Sequence, residues 1–155
     1  MLVPSFLVDG TDVPIMEPKN TTWRQKAKFY SHKLGGPALR YLIGTHVETG
    51  EIVWASSAYP AGTYEPKILE IEVADLLIPG EKALADRLFA NNPLFITRLP
   101  HDCLITRTYD SVRSKIERVN RDLKCFYILK NSHTPQLVPV LIPAIYFPEN
   151  KKITQ

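Results

Sequence analysis

Three acidic side chains stand where a carboxylate needs a reason: Asp9, Asp86 and Glu117. Asp9 closes the apolar run Phe6-Leu7-Val8, and a second acid, Asp12, follows at once. An ionised carboxylate beside a buried run is costly unless a basic side chain, a backbone cap or a metal ion meets it. Asp86 ends the stretch Lys82-Ala83-Leu84-Ala85. Glu117 falls in "YDSVRSKIERVNRDLKCFYIL", off the apolar stripe of that segment. At about 100° per residue it shares its side with Arg113, Arg121 and Lys124. Ordinary pairings offer one account of each acid: Asp9 capping a turn at Gly10-Thr11, Asp86 bonding to Lys82 or Arg87, and Glu117 pairing with Arg113 and Arg121 on a solvated face.

The elements that must position these acids follow from periodicity and punctuation. Residues 6–15 read as a strand punctuated by Gly10 and Pro14. The polar, basic segment 16–37 reads as a loop, with Arg24, Lys26, Lys28 and Lys33 in it and Trp23 placed there for packing within the loop or for stacking on a base. "ALRYLIGTHV" alternates Leu39, Tyr41, Ile43, Thr45 and Val47 on one side, "ETGE" turns, and "IVWASSAYP" returns, which predicts an antiparallel hairpin with Trp54 in the core. Over 64–80 the period changes. Ile68, Ile71 and Leu76 or Leu77 share a helical face, with Pro66 near the start and Pro79-Gly80 as the stop. Residues 82–90 and 94–100 are strand candidates. Val112, Ile116, Val119, Leu123 and Phe126, at steps of four, three, four and three, mark an amphipathic helix. Three strands, a helix, one or two strands and a second helix predict a mixed α/β layer fold.

Composition sets the outer bounds. The 155 residues suit one domain with a real core, at 45% hydrophobic and 23% charged. Net charge is +3 and the pI near 8.8, which permits a polyanionic partner. Cys103 and Cys125 have no metal-type spacing and are expected as reduced thiols in or near the core. His32, His46, His101 and His133 are scattered, so zinc is not expected. No glycine-rich phosphate loop occurs. No signal peptide is expected, and "LVPVLIPAIYF" is too short to span a bilayer, so the expectation is a soluble, intracellular protein with no membrane partner.

Four stretches in order carry a resemblance. "DGT" at Asp9 to Thr11, the hairpin in "FYSHKLGGPALRYLIGTHVETGEIVW", "LLIPGEKALADRLF" with Asp86, and "RSKIERVNRDLK", with arginine, glutamate and lysine separated by three and six residues, resemble the DDE-superfamily endonuclease domain of Harbinger-type transposases and transposase-derived nucleases. The resemblance covers about Val8 to Lys130. It implies an RNase H-like mixed sheet with flanking helices over 1–130, followed by a proline-rich tail over 131–155. It implies catalytic acids at Asp9, Asp86 and Glu117 that hold Mg²⁺ or Mn²⁺, with Arg113, Arg121 and Lys124 on the DNA backbone. The ions would serve a two-metal cleavage of phosphodiester bonds. A nuclear setting and a separate DNA-binding partner protein are further implications.

The chain also departs from the family pattern. Pro66 stands where a further acid is expected, with Glu65 one residue before it as a substitute metal ligand. Leu88 replaces a glycine after Asp86. The spacing from Asp86 to Glu117 is short, as in a trimmed domain, and the family's upstream DNA-binding region is not seen. Two functions stay open: a divalent-metal-dependent DNA endonuclease with little cleavage by this chain alone, and a catalytically inactive remnant that binds nucleic acid or a protein. A third reading is an unrelated α/β domain with ordinary surface pairs. DNA binding by the chain alone is expected to be weak, sequence-indifferent and salt-sensitive.

Overall fold

The computed structural model describes residues 4, 6–74, 76–97 and 103–125. The tail read over 131–155, together with Phe126, His101 and His133, lies outside the described residues.

The first strand, β1 (Phe6–Pro14), is the sheet's central element. It pairs antiparallel along its whole length with β3 (Gly36–His46), from Phe6 opposite His46 to Pro14 opposite Ala38. On its other edge it runs parallel to β6 (Ala83–Leu84), which in turn runs parallel to β7 (Phe95–Ile96). The short strands β2 (Tyr30–Ser31), β4 (Ile52–Ala55) and β5 (Tyr59–Pro60) each pair antiparallel with a different part of β3. The expected hairpin therefore forms, but its return strand breaks in two at residues 56–58. There Ser56 turns inward: its N–H donates to Leu42 O at 2.8 Å and its hydroxyl accepts the Leu42 N–H at 2.9 Å.

Side-chain alternation along β1 assigns its two faces. Phe6 and Val8 pack with Ile68, Leu69 and Val73 of α2 (Glu65–Glu72), together with Leu42, Phe89 and Phe95. Leu7 packs with Tyr109, Val112 and Ile116 of α3 (Cys103–Cys125), and Val13 joins Leu39, Tyr41, Ile43 and the half-buried Val119. Asp9 thus faces the α3 side, while Gly10 and Asp12 face the α2 side. Val112, Ile116 and Val119 of the predicted stripe face the sheet, the side chain of Leu123 lies outside the described residues, and the helix begins at Cys103, ahead of the predicted start.

Several expectations are corrected. The segment 16–37 is not all loop, because Trp23–Lys28 form a short helix, α1. Its start is a reciprocal cap: the Thr22 hydroxyl accepts from Gln25 N–H and the Gln25 side chain accepts from Thr22 N–H. Trp23 does not pack within the segment; it is 75% exposed. Helix α2 stops at Glu72, well before Pro79, and its buried face is Ile68, Leu69 and Val73, leaving Ile71 and Leu76 exposed. Cys125 is exposed and lies outside the core. Trp54 does pack against the α2-side core.

Candidate active site and its carboxylates

Each acid comes from a different element. Asp9 lies mid-way along β1, Asp86 follows β6 by two residues, and Glu117 sits in the fourth turn of α3. All three line one small cleft together with Leu7, Val8, Tyr109, Arg113 and Ile116. The cleft holds about 40 Å³, where a single water occupies about 10–15 Å³ on the same measure. Asp9 and Glu117 also border an adjoining hollow lined by Gly10, Asp12, Lys33, Leu34, Asn120 and Arg121.

Three contacts hold α3 over this end of the sheet. The Tyr109 hydroxyl donates to Ala85 O at 2.8 Å, tying the helix to the residue before Asp86. Lys115 Nζ donates to Val47 O at 3.2 Å and Glu48 O at 2.9 Å, anchoring it on the β3–β4 turn. Asn120 Nδ2 donates to Asp9 Oδ2 at 2.7 Å. Tyr109, Arg113 and Glu117 form one row at steps of four, and Asn120 lies one turn further. Neither Tyr109 nor Asn120 stood out in the sequence, although their spacing from Glu117 was the signal that marks them.

The carboxylates share the cleft without converging on one point. Asp86 Oδ1 accepts the Arg87 N–H at 2.6 Å and caps the short turn Arg87–Phe89. Glu117 Oε1 accepts from Arg113 Nε at 3.1 Å across a helical turn. The ordinary readings thus hold in part: Glu117 pairs with Arg113 but not with Arg121, which lies beside Asp122, and Asp86 bonds to the backbone of Arg87. The Asp9 one does not hold: Gly10 and Thr11 are strand residues, and Asp9 meets Asn120. Among the described residues, no three of His, Cys, Asp and Glu stand as a ready-made ion site. The donor chemistry nonetheless suits a hard divalent cation, since every candidate ligand is a carboxylate oxygen. A like-charged set brought closer repels unless a cation or a bound proton offsets it.

Burial pushes the Asp9 carboxyl above its usual range, and the negative charge of Glu65 adds to this; Lys33, Arg113 and the Gly10 backbone oppose it without cancelling it. The Asn120 Oδ1 atom beside it is buried with no hydrogen-bond partner. Arg113 loses some charge stability to burial, but Asp86 and Glu117 more than restore it and hold its pKa up.

Glu65 is the first residue of α2, with Pro66 following. Its carboxylate reaches back to β1, where a Cβ on Gly10 would stand 2.7 Å from Glu65 Oε1. Lys33 Nζ lies 3.6 Å and Arg40 Nε 3.5 Å from that same oxygen. Glu65 therefore stands on the α2 side of β1, paired with two cations, and does not line the cleft of the other three acids. Leu88 needs no glycine geometry: the turn after Asp86 contains no positive φ, and Leu88 is 59% exposed. Arg121 borders the hollow and lies 3.6 Å from Asp122. Lys124 lies in α3, and its side chain is outside the described residues.

A central strand flanked by an antiparallel neighbour on one edge and parallel strands on the other, with helices on both faces and acids from β1, the end of β6 and α3, is an RNase H-like arrangement. The chain belongs to the DDE superfamily endonuclease family, of Harbinger type, whose profile matches residues 8–146. No curated protein and no solved structure gives a significant match. No helix among the described residues is long and apolar enough to cross a membrane.

Proposed function

We propose that this domain is a divalent-metal-dependent DNA endonuclease derived from a transposase, with Asp9, Asp86 and Glu117 as its catalytic, metal-holding acids. The observation that carries this is their common cleft, assembled from three separate elements in a chain of this family. Mg²⁺ or Mn²⁺, when bound, would supply an activated water and charge stabilisation at the leaving oxygen. The chain's own residues do the rest. Asn120 orients the Asp9 carboxylate, and Tyr109 fixes the segment that presents Asp86. Arg113 releases Glu117 to an incoming cation and turns toward phosphate, and Arg121 and Lys124 of the same helix add positive charge for the DNA backbone. The resemblance carries the rest of the setting: a nuclear location, DNA held weakly and without sequence preference, and a separate protein that supplies the DNA-reading function.

A remnant without catalysis is the second function, favoured by one observation: the Asp86 and Glu117 carboxylates are both engaged by their own neighbours. Plasmid nicking in Mn²⁺ separates the two. Wild type is expected to nick supercoiled DNA weakly. Pro66 lies in the first turn of α2, off the cleft, so Pro66→Asp is expected to leave that rate unchanged, and Glu117→Gln to abolish nicking in both backgrounds. Nicking that survives Glu117→Gln contradicts the assignment. No nicking by any variant favours the remnant.

A further inference from the structure

Helix α1 buries none of its residues, yet it carries a complete cap at its start. Gly62 holds it in place: the Gly62 N–H donates to Lys28 O at 2.8 Å, and a Cβ there would lie 2.7 Å from that oxygen. This close approach sets α1 against the loop before α2, and the two walls enclose a groove of about 750 Å³. That is within the range of about 300–1,000 Å³ usual for ligand sites.

The groove is lined by aromatic rings that the core does not use. Trp23 is 75%, Tyr64 63% and Tyr30 44% exposed. His32 sits edge-on to Tyr30, with ring centroids 5.2 Å apart. The charge on this wall is positive. Of the lining cations, Lys26 pairs with Glu17 at 3.1 Å and Arg40 is committed to Asp12 and Thr63 O, so the positive charge at the rim is that of Arg24, over the Trp23 ring at 5.6 Å, and Lys28 of α1. Arg40 links the groove to the acids, because it pairs with Asp12, which borders the hollow shared by Asp9 and Glu117.

We propose that this groove is a stacking track for the bases of an unpaired DNA strand. The substrate class rests on the endonuclease function; the strand form and the side chains that hold it go beyond that function. Flat rings bind base faces, which a paired duplex keeps stacked and hidden. Flanking cations bind the phosphates without reading sequence. Stacking on one aromatic side chain changes affinity by roughly fivefold to a hundredfold per base.

The test uses the full chain in EDTA, so that cleavage plays no part. Fluorescence anisotropy compares a twelve-nucleotide oligodeoxythymidine, an abasic strand of equal charge and a twelve-base-pair duplex. Wild type is expected to favour oligodeoxythymidine over the abasic strand by about tenfold, with quenching of tryptophan emission. Trp23→Ala and Tyr64→Ala should each lower that affinity at least about fivefold, Trp23→Phe should keep most of it, and affinity for the abasic strand should not change. Because Trp23 is exposed, these variants leave the core intact. Equal affinity for the base-bearing and abasic strands, or no effect of Trp23→Ala, overturns the proposal. So does self-association of the chain that Trp23→Ala abolishes, which would give the groove to a second copy. If the groove fails while Glu117→Gln still abolishes nicking, only the stacking track is lost. If binding is as expected while no variant nicks DNA, the endonuclease function is lost and the track stands.

Discussion

Asp9 and Asp12 lie three residues apart on the same strand, on opposite faces, and they are treated in opposite ways. Asp12 is saturated. Arg40 donates to both its oxygens at 2.8 and 2.9 Å, and the Ser31 hydroxyl donates to Oδ2 at 2.6 Å. Burial alone would push the Asp12 carboxyl up, but these partners outweigh it and hold the group below its usual range. Asp9 has one neutral side-chain donor, Asn120, and its carboxyl is pushed up. A carboxylate that the fold has fully satisfied is part of the scaffold. One left short of positive charge in a cleft with two other acids is equipped for a cation supplied from outside.

The largest effect is expected on the saturated side. Asp12→Ala leaves the Arg40 guanidinium, whose side chain is 13% exposed, without its main partner. Breaking such a pair costs about 3–5 kcal/mol. Glu65 remains 3.5 Å from Arg40, so the loss should fall near the lower end of that range. Urea unfolding at pH 7 measures it, and a loss below about 1 kcal/mol would show that Glu65 alone suffices.

The pH dependence of the two acids should differ in sign. The folded pKa of Asp12 lies below 3.8, so its stabilisation is present above that value and is lost as pH falls through the folded pKa. The folded pKa of Asp9 lies above 3.8, so its ionisation opposes folding increasingly as pH rises through the folded value. In metal-free buffer, Asp9→Asn should therefore be more stable than wild type at pH 7, with the gain vanishing below about pH 4. Thermal melts across that range check this, and a destabilised Asp9→Asn at pH 7 would mean that its bond to Asn120 outweighs the burial penalty.

A smaller effect belongs to Gly10, which lies between the two acids. Gly10→Ala should displace the Glu65 carboxylate from Lys33 and Arg40 and cost about 1 kcal/mol. In a Glu65→Ala background the same change should cost almost nothing, a coupling that a double-mutant cycle measures directly.

These contrasts also show what could be read along the chain. The strand around Asp9, the hairpin and the stripe Val112-Ile116 were legible because burial imposes a period on apolar residues. Helix α1 was missed although Thr22 and Gln25 spell a cap, because no apolar period follows them in a helix that buries nothing. The end of α2 was misplaced because Leu76 and Leu77 continue the apolar pattern past the last helical turn. The three acids were singled out through motif order. Asn120 and the Asp12–Arg40 pair were not, since a cross-strand partner 28 residues away leaves no local trace. Glu65 was named in sequence as a substitute ligand, but only its packing on Gly10 reveals the two cations that hold it.

Mn²⁺ binding tests the contrast between Asp9 and Asp12 most directly. Titration calorimetry, or the loss of the free Mn²⁺ resonance signal, is read on wild type, Asp9→Asn and Asp12→Asn under conditions where each is folded. Wild type should bind Mn²⁺, Asp9→Asn should bind at least about tenfold more weakly, and Asp12→Asn should bind nearly as well as wild type. Equal binding by wild type and Asp9→Asn, or a loss confined to Asp12→Asn, would contradict the assignment of the Asp9 cleft as the metal-holding site.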